Sequence, residues 1–97
     1  MPRINLSEAA TEELDDAYRW YESQRAGLGD ELLDEFLRSS QRVADNPRLY
    51  PVVDGETRRA LLHRFPYGIF YRIQGDTILV IAFFHAKRDP VQWRRRR

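Results

Sequence analysis

Cysteine is absent from this 97-residue chain, so a disulfide framework and a thiolate zinc site are excluded. The sequence also lacks a glycine-rich phosphate loop, a long apolar run and a signal peptide at its start. Its two histidines, His63 and His85, have no carboxylates at metal-ligand spacing. We therefore expect no metal, no cofactor and no membrane contact, and the missing thiols fit a cytoplasmic protein.

The length suits a single domain over residues 1–97, and 42% hydrophobic with 32% charged residues is ordinary globular composition. A domain this short buries only roughly 60–65% of the surface of its unfolded chain, so its stability margin is thin. Contacts with a partner or with a second copy would widen that margin.

Charge is distributed unevenly along the chain, although the net charge is only +1. Residues 1–45 hold five arginines against eleven acids, a net of −6, and residues 46–97 hold eleven basic residues against four acids, a net of +7. Two interpretations follow. Either the basic half binds a polyanionic or acidic partner, or the two halves neutralise each other in the fold.

The first half of the sequence predicts a strand and two helices. Arg3–Leu6 is a short strand candidate, and a helix runs from Glu8 to about Arg25 with Ser7 as its N-cap. Residues 26–29 break the helix, and a second one runs from about Asp30 to Ala44. The short link predicts an antiparallel helical hairpin. The second helix is expected to bury Leu33, Phe36, Leu37, Ser40, Val43 and Ala44, and neither inner face is expected to carry acids.

The second half predicts an irregular stretch over residues 46–57 followed by three strands. These are Arg58–Phe65, Ile69–Gln74 and the continuously apolar Ile78–Phe84, which is typical of a strand covered on both faces near the sheet centre. Pro66-Tyr67-Gly68 is the expected turn between the first two strands.

The predicted fold class is α+β. A short N-terminal strand precedes an antiparallel helical hairpin, which packs on a C-terminal antiparallel three-stranded meander. Asp89 and Pro90 favour a short C-terminal helix, and Arg94–Arg97 is expected to be a disordered basic tail.

His85 follows the last apolar strand, where a functional side chain can leave the core. Its imidazole is a candidate general base, and the alternative is a strand cap bonded to Asp89. His63 and Arg64 alternate faces on the first predicted meander strand, where Arg58, Arg64 and Arg72 would form a phosphate-binding cluster if the register allowed it. The alternative is an exposed basic face matched to an acidic partner.

Four fragments together resemble the RelE/ParE superfamily of bacterial type II toxins. They are "WYESQRAGLGDELLDEF", then "LYP", then "RRALLHRFPYGIFYRI", then "ILVIAFFHAKRDPVQW", and they cover about Ile4 to Trp93. The resemblance implies a compact toxin that is silenced by a cognate antitoxin encoded beside it. Operator DNA would be bound only through that antitoxin.

Two mechanisms exist in the superfamily. The RelE-like branch cuts mRNA on the ribosome with lysines and arginines of its sheet; Gly68 stands here at one such arginine position, and Ala86 stands near another basic position. The ParE-like branch inhibits DNA gyrase, and its members resemble the chain at "FFHAKRD". The resemblance is therefore closer to the ParE-like branch, which is not known as an enzyme.

The expected function is that of an antitoxin-neutralised toxin acting on DNA gyrase. The alternative is a ribosome-dependent mRNA endonuclease, and a third interpretation is a decayed member that binds its antitoxin without toxicity. If the chain is a ribonuclease, the expected catalytic residues are His85, His63, Arg64 and Arg72. The expected target or antitoxin docking residues are Arg58, Arg59, Arg64, Arg72, Lys87, Arg88 and Trp93.

Overall fold

The computed structural model describes residues 2–86, which fold into two helices and five strands. Their bounds are β1 Arg3–Leu6, α1 Glu8–Gln24, α2 Leu28–Asp45, β2 Val52–Asp54, β3 Thr57–Leu61, β4 Tyr67–Gln74 and β5 Thr77–His85. The strands form one sheet in the order β1-β5-β4-β3-β2, in which β1 runs parallel to β5 and all other pairs are antiparallel. The predicted α+β class is confirmed.

The helical hairpin forms as predicted because both of its helix starts are capped. The Ser7 side chain accepts a hydrogen bond from the Ala10 N–H, as expected of the N-cap of α1. Gly27, at the N-cap of α2, has φ +89° and no side chain to offer. Glu22 of α1 replaces that missing cap, since its carboxylate accepts from the N–H groups of Gly27 and Gly29 at 3.2 and 2.8 Å.

The main core lies between the helices and one face of the sheet, which we call the helix face. Tyr71, Phe83 and Ile69 of the sheet and Leu32 and Phe36 of α2 are at most 3% exposed there. Ring contacts hold this layer together: the Phe36 and Phe83 rings meet edge to face with centroids 5.4 Å apart.

The opposite face of the sheet, called the outer face below, carries the alternate side chains. Phe70, Ile81, Ala82 and Phe84 form a second buried cluster there. At Ile81 the pairing with β4 shifts by one residue, since Phe70 pairs with Ala82 whereas Tyr71 pairs with Val80. The apolar run Ile78–Phe84 is therefore buried on both faces of an interior strand, as its sequence predicted.

Several sequence-based boundaries were wrong. Residues 46–57 are not wholly irregular, since they contain β2 and the start of β3, so the antiparallel part of the sheet has four strands and not three. The strand predicted to reach Phe65 ends at Leu61. Tyr67 and Gly68 belong to β4 and not to a turn, and the connection before them spans residues 62–66.

The inner face of α2 is also rotated from the predicted one. Leu37 was expected inside but is 56% exposed, whereas Glu35 is 4% exposed. The expectation that no acid lies on an inner helix face was therefore wrong at Glu35. The predicted C-terminal helix and the Arg94–Arg97 tail lie outside the described residues.

Candidate functional site

Two arginines mark the outer face of the sheet. Arg59 of β3 lies opposite Phe70 of β4, and Arg72 follows two residues later on β4, so their side chains share the outer face with the Phe70 ring. The Nε of Arg72 donates to the hydroxyl of Thr57 at 3.3 Å. The Phe70 ring is itself buried, so the two guanidinium groups are the part of this arrangement whose chemistry suits an anionic partner.

Gly68 allows Arg59 to lie flat on this face. A Cβ at position 68 would come within 3.3 Å of the Arg59 Cγ and of the Phe70 ring. The Arg59 Nε is buried there and has no hydrogen-bond partner among residues 2–86. A buried donor of a charged group without a partner is costly, which marks Arg59 as the residue of this face to test by substitution.

Arg58 and Arg64 are held by internal contacts instead. Arg58 pairs with Tyr71 and therefore points to the helix face, where its Nη1 donates to the carbonyls of Tyr50 and Arg48 at 2.6 and 3.1 Å. Arg64 donates from its Nη2 to Glu31 at 2.7 Å. This hydrogen bond is the main cause that lowers the pKa of the Glu31 carboxyl. The proposed cluster of Arg58, Arg64 and Arg72 does not form.

Glu35 explains where Arg64 and His63 lie. Its buried carboxylate accepts hydrogen bonds from the backbone N–H groups of both residues, with 3.1 Å to the Arg64 nitrogen. The carboxylate thus ties α2 to the turn between β3 and β4, and the His63 side chain is exposed on that turn. The prediction that His63 and Arg64 occupy opposite faces of a strand was wrong, because β3 has already ended.

His85 closes β5 on the helix face and borders a cleft of about 200 Å³ between α1 and the sheet. The His85 cleft is lined by Glu13, Asp16, Ala17, Trp20, Tyr67, Phe83 and His85. Tyr67 is central, since its ring stacks on Phe83 with centroids 4.9 Å apart and meets the His85 ring edge to face at 5.5 Å. Sequence reasoning missed Glu13, Asp16 and Trp20, although their spacing from Ala17 places all three on one side of a helix.

The helix wall of the cleft is tied to the sheet by Glu13. Beyond Val80, β1 no longer pairs with β5, so the exposed edge of β5 faces α1. There the Phe83 N–H donates to the Glu13 Oε1 at 3.0 Å. This contact satisfies an edge donor and fixes the orientation of the carboxylate at the cleft.

The four residues predicted as a catalytic set therefore do not meet. Arg72 lies on the outer face and His85 on the helix face. His85 pairs with Tyr67, and Arg72 is five positions further along β4, which is roughly 17 Å of extended strand. His63 and Arg64 lie on the turn that Glu35 holds.

Of the predicted docking residues, Arg59 and Arg72 share the outer face. Arg58 and Arg64 are bound internally, as described above. Lys87, Arg88 and Trp93 lie outside the described residues, as does the predicted contact between His85 and Asp89. Within residues 2–86 no group of three or more metal-ligating side chains comes together, and neither helix is long and apolar enough to cross a membrane.

Comparison with known proteins connects this architecture to one family. Residues 4–90 match the family model of the ParE toxin of the type II toxin–antitoxin system parDE. The fold is similar to that of the chromosomal ParDE system of P. aeruginosa, with a TM-score of 0.77 and 16% identity over 88% of this chain and 96% of the other.

RelE structures also share the fold. The similarity to the intact E. coli RelBE toxin–antitoxin complex has a TM-score of 0.70 at 16% identity, and it covers 91% of this chain and all of the other. For the isolated E. coli RelE toxin the TM-score is 0.68 at 16% identity, over 98% and 95% of the two chains. No curated protein matches the chain by sequence.

Proposed function

The chain belongs to the ParE toxin family of type II toxin–antitoxin systems, and from that premise we propose that it inhibits DNA gyrase and is neutralised by a directly bound antitoxin. One observation carries the choice of target: the candidate nuclease residues are dispersed. Arg72 and His85 lie on opposite faces of the sheet, and Gly68 has no side chain that can contact a phosphate. This scatter supports a toxin that binds a macromolecule over one that cleaves RNA.

The outer face is the proposed contact surface for gyrase. Arg59 and Arg72 place two guanidinium groups on that face, where Arg72 also donates to Thr57. Arginine is enriched at the energetic centres of protein interfaces, where its planar guanidinium group can pair with a carboxylate on the partner. The proposed site of action is the bacterial cytoplasm, where gyrase is found.

The antitoxin proposal has separate support. The structures with the same fold include the ParDE system and the intact RelBE complex. The thin margin of a 97-residue domain also favours a bound partner, which adds stability by mass action. Contact with operator DNA is proposed only through the antitoxin.

The test incubates the purified full chain with gyrase, ATP and supercoiled plasmid and measures cleaved plasmid after protein denaturation. We expect cleaved DNA with the wild type and about tenfold less with Arg59→Gln. Arg38→Gln is the matched control, because Arg38 is exposed on α2 and the substitution removes the same charge. Equal activity of the two variants would exclude the outer face, and intact plasmid with the wild type would exclude gyrase as the target.

The second candidate is ribosome-dependent mRNA cleavage, which is favoured by the similarity of fold to RelE and by the two arginines of the outer face. A translation extract treated with the chain separates the two candidates. Cut mRNA, and loss of growth inhibition on His85→Ala, would support the nuclease. Whole mRNA and retained inhibition would support the gyrase proposal. If cells grow normally when this gene is induced without its neighbour, the chain is a family member that is no longer toxic.

A further inference from the structure

We propose that the His85 cleft binds a single cationic side chain, preferentially arginine, that the antitoxin inserts between α1 and the end of β5. The identity of the partner rests on the proposed function, whereas the chemistry of the pocket rests on the cleft itself. The docking residues predicted from sequence were all basic, with Trp93 the one exception, so this acidic and aromatic pocket is a different kind of site.

The cleft has the charge and the surfaces that a guanidinium group needs. Asp16 and Glu13 are the two acidic residues of α1 that line it, and Trp20 and Tyr67 contribute aromatic rings to the lining. A guanidinium group gains from stacking on an aromatic face and from pairing with a carboxylate at its edge. A phosphate or a nucleic acid would meet the same two carboxylates and be repelled.

The size of the cleft selects one side chain. Its volume of about 200 Å³ is below the roughly 300–1,000 Å³ of small-molecule pockets. Ala17 and Phe83 close its floor, at 4% and 1% exposure. A long stem can therefore rest on an apolar base while the charged end reaches the carboxylates, which is how arginine and lysine are accommodated at interfaces. The planar guanidinium group, which stacks on aromatic rings, favours arginine over lysine in this aromatic lining.

The pocket is also formed in advance of binding. The stacked rings of Tyr67 and Phe83, the edge contact with His85 and the hydrogen bond from the Phe83 N–H to Glu13 fix its walls. Trp20 is 56% exposed although it is the largest side chain at the rim. A cation seated in the cleft would cover that ring, and preformed pockets lose little entropy on binding.

The first test is an NMR titration of the isotope-labelled full chain with N-acetyl-arginine amide. Its control ligand is N-acetyl-citrulline amide, which has the same length but carries a neutral urea group. We expect the arginine derivative to shift the Trp20 indole and the Ala17 amide, and the citrulline derivative to leave them unchanged. Equal shifts with both ligands, or none with either, would overturn the assignment whatever the antitoxin does.

Variants locate the site. Asp16→Asn and Trp20→Leu should each abolish the shifts, and Glu13→Gln should weaken them while keeping its acceptor for the Phe83 N–H. Asp15→Asn is the matched control, since it removes the same charge from α1 at a residue outside the cleft. Loss of the shifts in Asp15→Asn as well would attribute them to overall charge and reject the pocket.

The second test measures binding of the protein encoded beside this chain. Asp16→Asn and Trp20→Leu should each weaken it about tenfold, mainly through faster dissociation, and Asp15→Asn should not. If the wild type does not bind that protein, the proposed antitoxin is wrong and the amide titration still decides the pocket. If the wild type binds and all three variants bind equally well, the antitoxin proposal stands and the inserted cation is rejected.

Discussion

The Glu35→Ala substitution tests how the turn between β3 and β4 is held. Glu35 is the acid buried on the inner face of α2, at 4% exposure. Its carboxylate accepts from the backbone N–H groups of His63 and Arg64. Alanine removes both acceptors and leaves a space that water must enter to reach the two N–H groups. The turn should then detach from α2 while the sheet and the hairpin remain folded.

The magnitude follows from the two lost hydrogen bonds. A hydrogen bond to a charged group contributes about 1.5–3 kcal/mol, but His63 and Arg64 are exposed and their amides can be partly hydrated. We therefore expect a loss of about 2–4 kcal/mol in the free energy of unfolding. A domain of this length has about 5–15 kcal/mol in total. At about 4–8 °C per kcal/mol, the melting temperature should fall by at least about 8 °C.

The assay is equilibrium unfolding in urea, followed by circular dichroism, for the wild type and three variants. Glu35→Gln keeps one carbonyl acceptor at the same size and should lose about half as much as Glu35→Ala. Asp34→Ala is the matched control, because Asp34 is exposed on the same helix and should change stability by less than about 0.5 kcal/mol. A Glu35→Ala protein within 0.5 kcal/mol of the control would refute the role given to this carboxylate.

Three further outcomes are expected. Burial raises the pKa of Tyr71 to about 12, and its hydroxyl donates to the Pro47 carbonyl at 2.6 Å. Because the folded-state pKa lies above the unfolded value of about 10, this stabilising effect is complete below pH 10 and is lost as the pH rises toward 12. A near-ultraviolet phenolate titration should show a tyrosine with a pKa of about 12 that Tyr71→Phe removes, and its persistence in that variant would contradict the assignment. Arg64→Gln should raise the pKa of Glu31 toward its ordinary value, measured by carbon-detected NMR, and an unchanged titration would exclude Arg64 as the main cause. Gly29→Ala should lower the free energy of unfolding in urea by about 2–3 kcal/mol, because a Cβ there would lie 2.6 Å from a backbone carbonyl of α1. Gly75→Ala should lower it by about 1 kcal/mol, because Gly75 lies in open space and only its φ of +59° is unfavourable for alanine. Equal losses in the two variants would exclude the clash at Gly29.

The helical hairpin could be predicted from sequence because its signals are local. Ser7 precedes a helical stripe, and residues 26–29 interrupt it where the chain must reverse. The buried strand β5 was equally clear, since seven consecutive apolar residues require cover on both faces. In each of these cases the pattern and the local chemistry agree.

The end of β3 could not be placed because its signal is mixed. Ala60 and Leu62 keep a period of two, but the next buried residue is Phe65, three positions later. That change of spacing marks the end of the strand, whereas the sequence-based prediction continues the strand to Phe65. The role of Glu35 had no local signal at all, since its two hydrogen-bond donors are backbone groups 28 and 29 residues away.

The helix wall of the His85 cleft was missed for a related reason. Basic residues drew attention to the C-terminal half, although Arg58 and Arg64 turn out to be bound internally. The His85 cleft depends on α1 lying beside the unpaired end of β5, which follows from how short β1 is. A sequence pattern does not state which strand end remains unpaired, so the cleft became visible only in the assembled sheet.

The fold contains contacts that bear on both interpretations of the charge asymmetry. Arg64 joins the basic half to Glu31 of the acidic half, whereas Arg19–Asp15 and Arg25–Glu31 lie within the acidic half itself. Arg59 and Arg72 occupy the face of the sheet opposite the acidic helices, so the sheet separates them from those carboxylates. The two proposed contact surfaces therefore lie on different faces of the sheet, with the His85 cleft proposed for a cation and the outer face for an acidic partner.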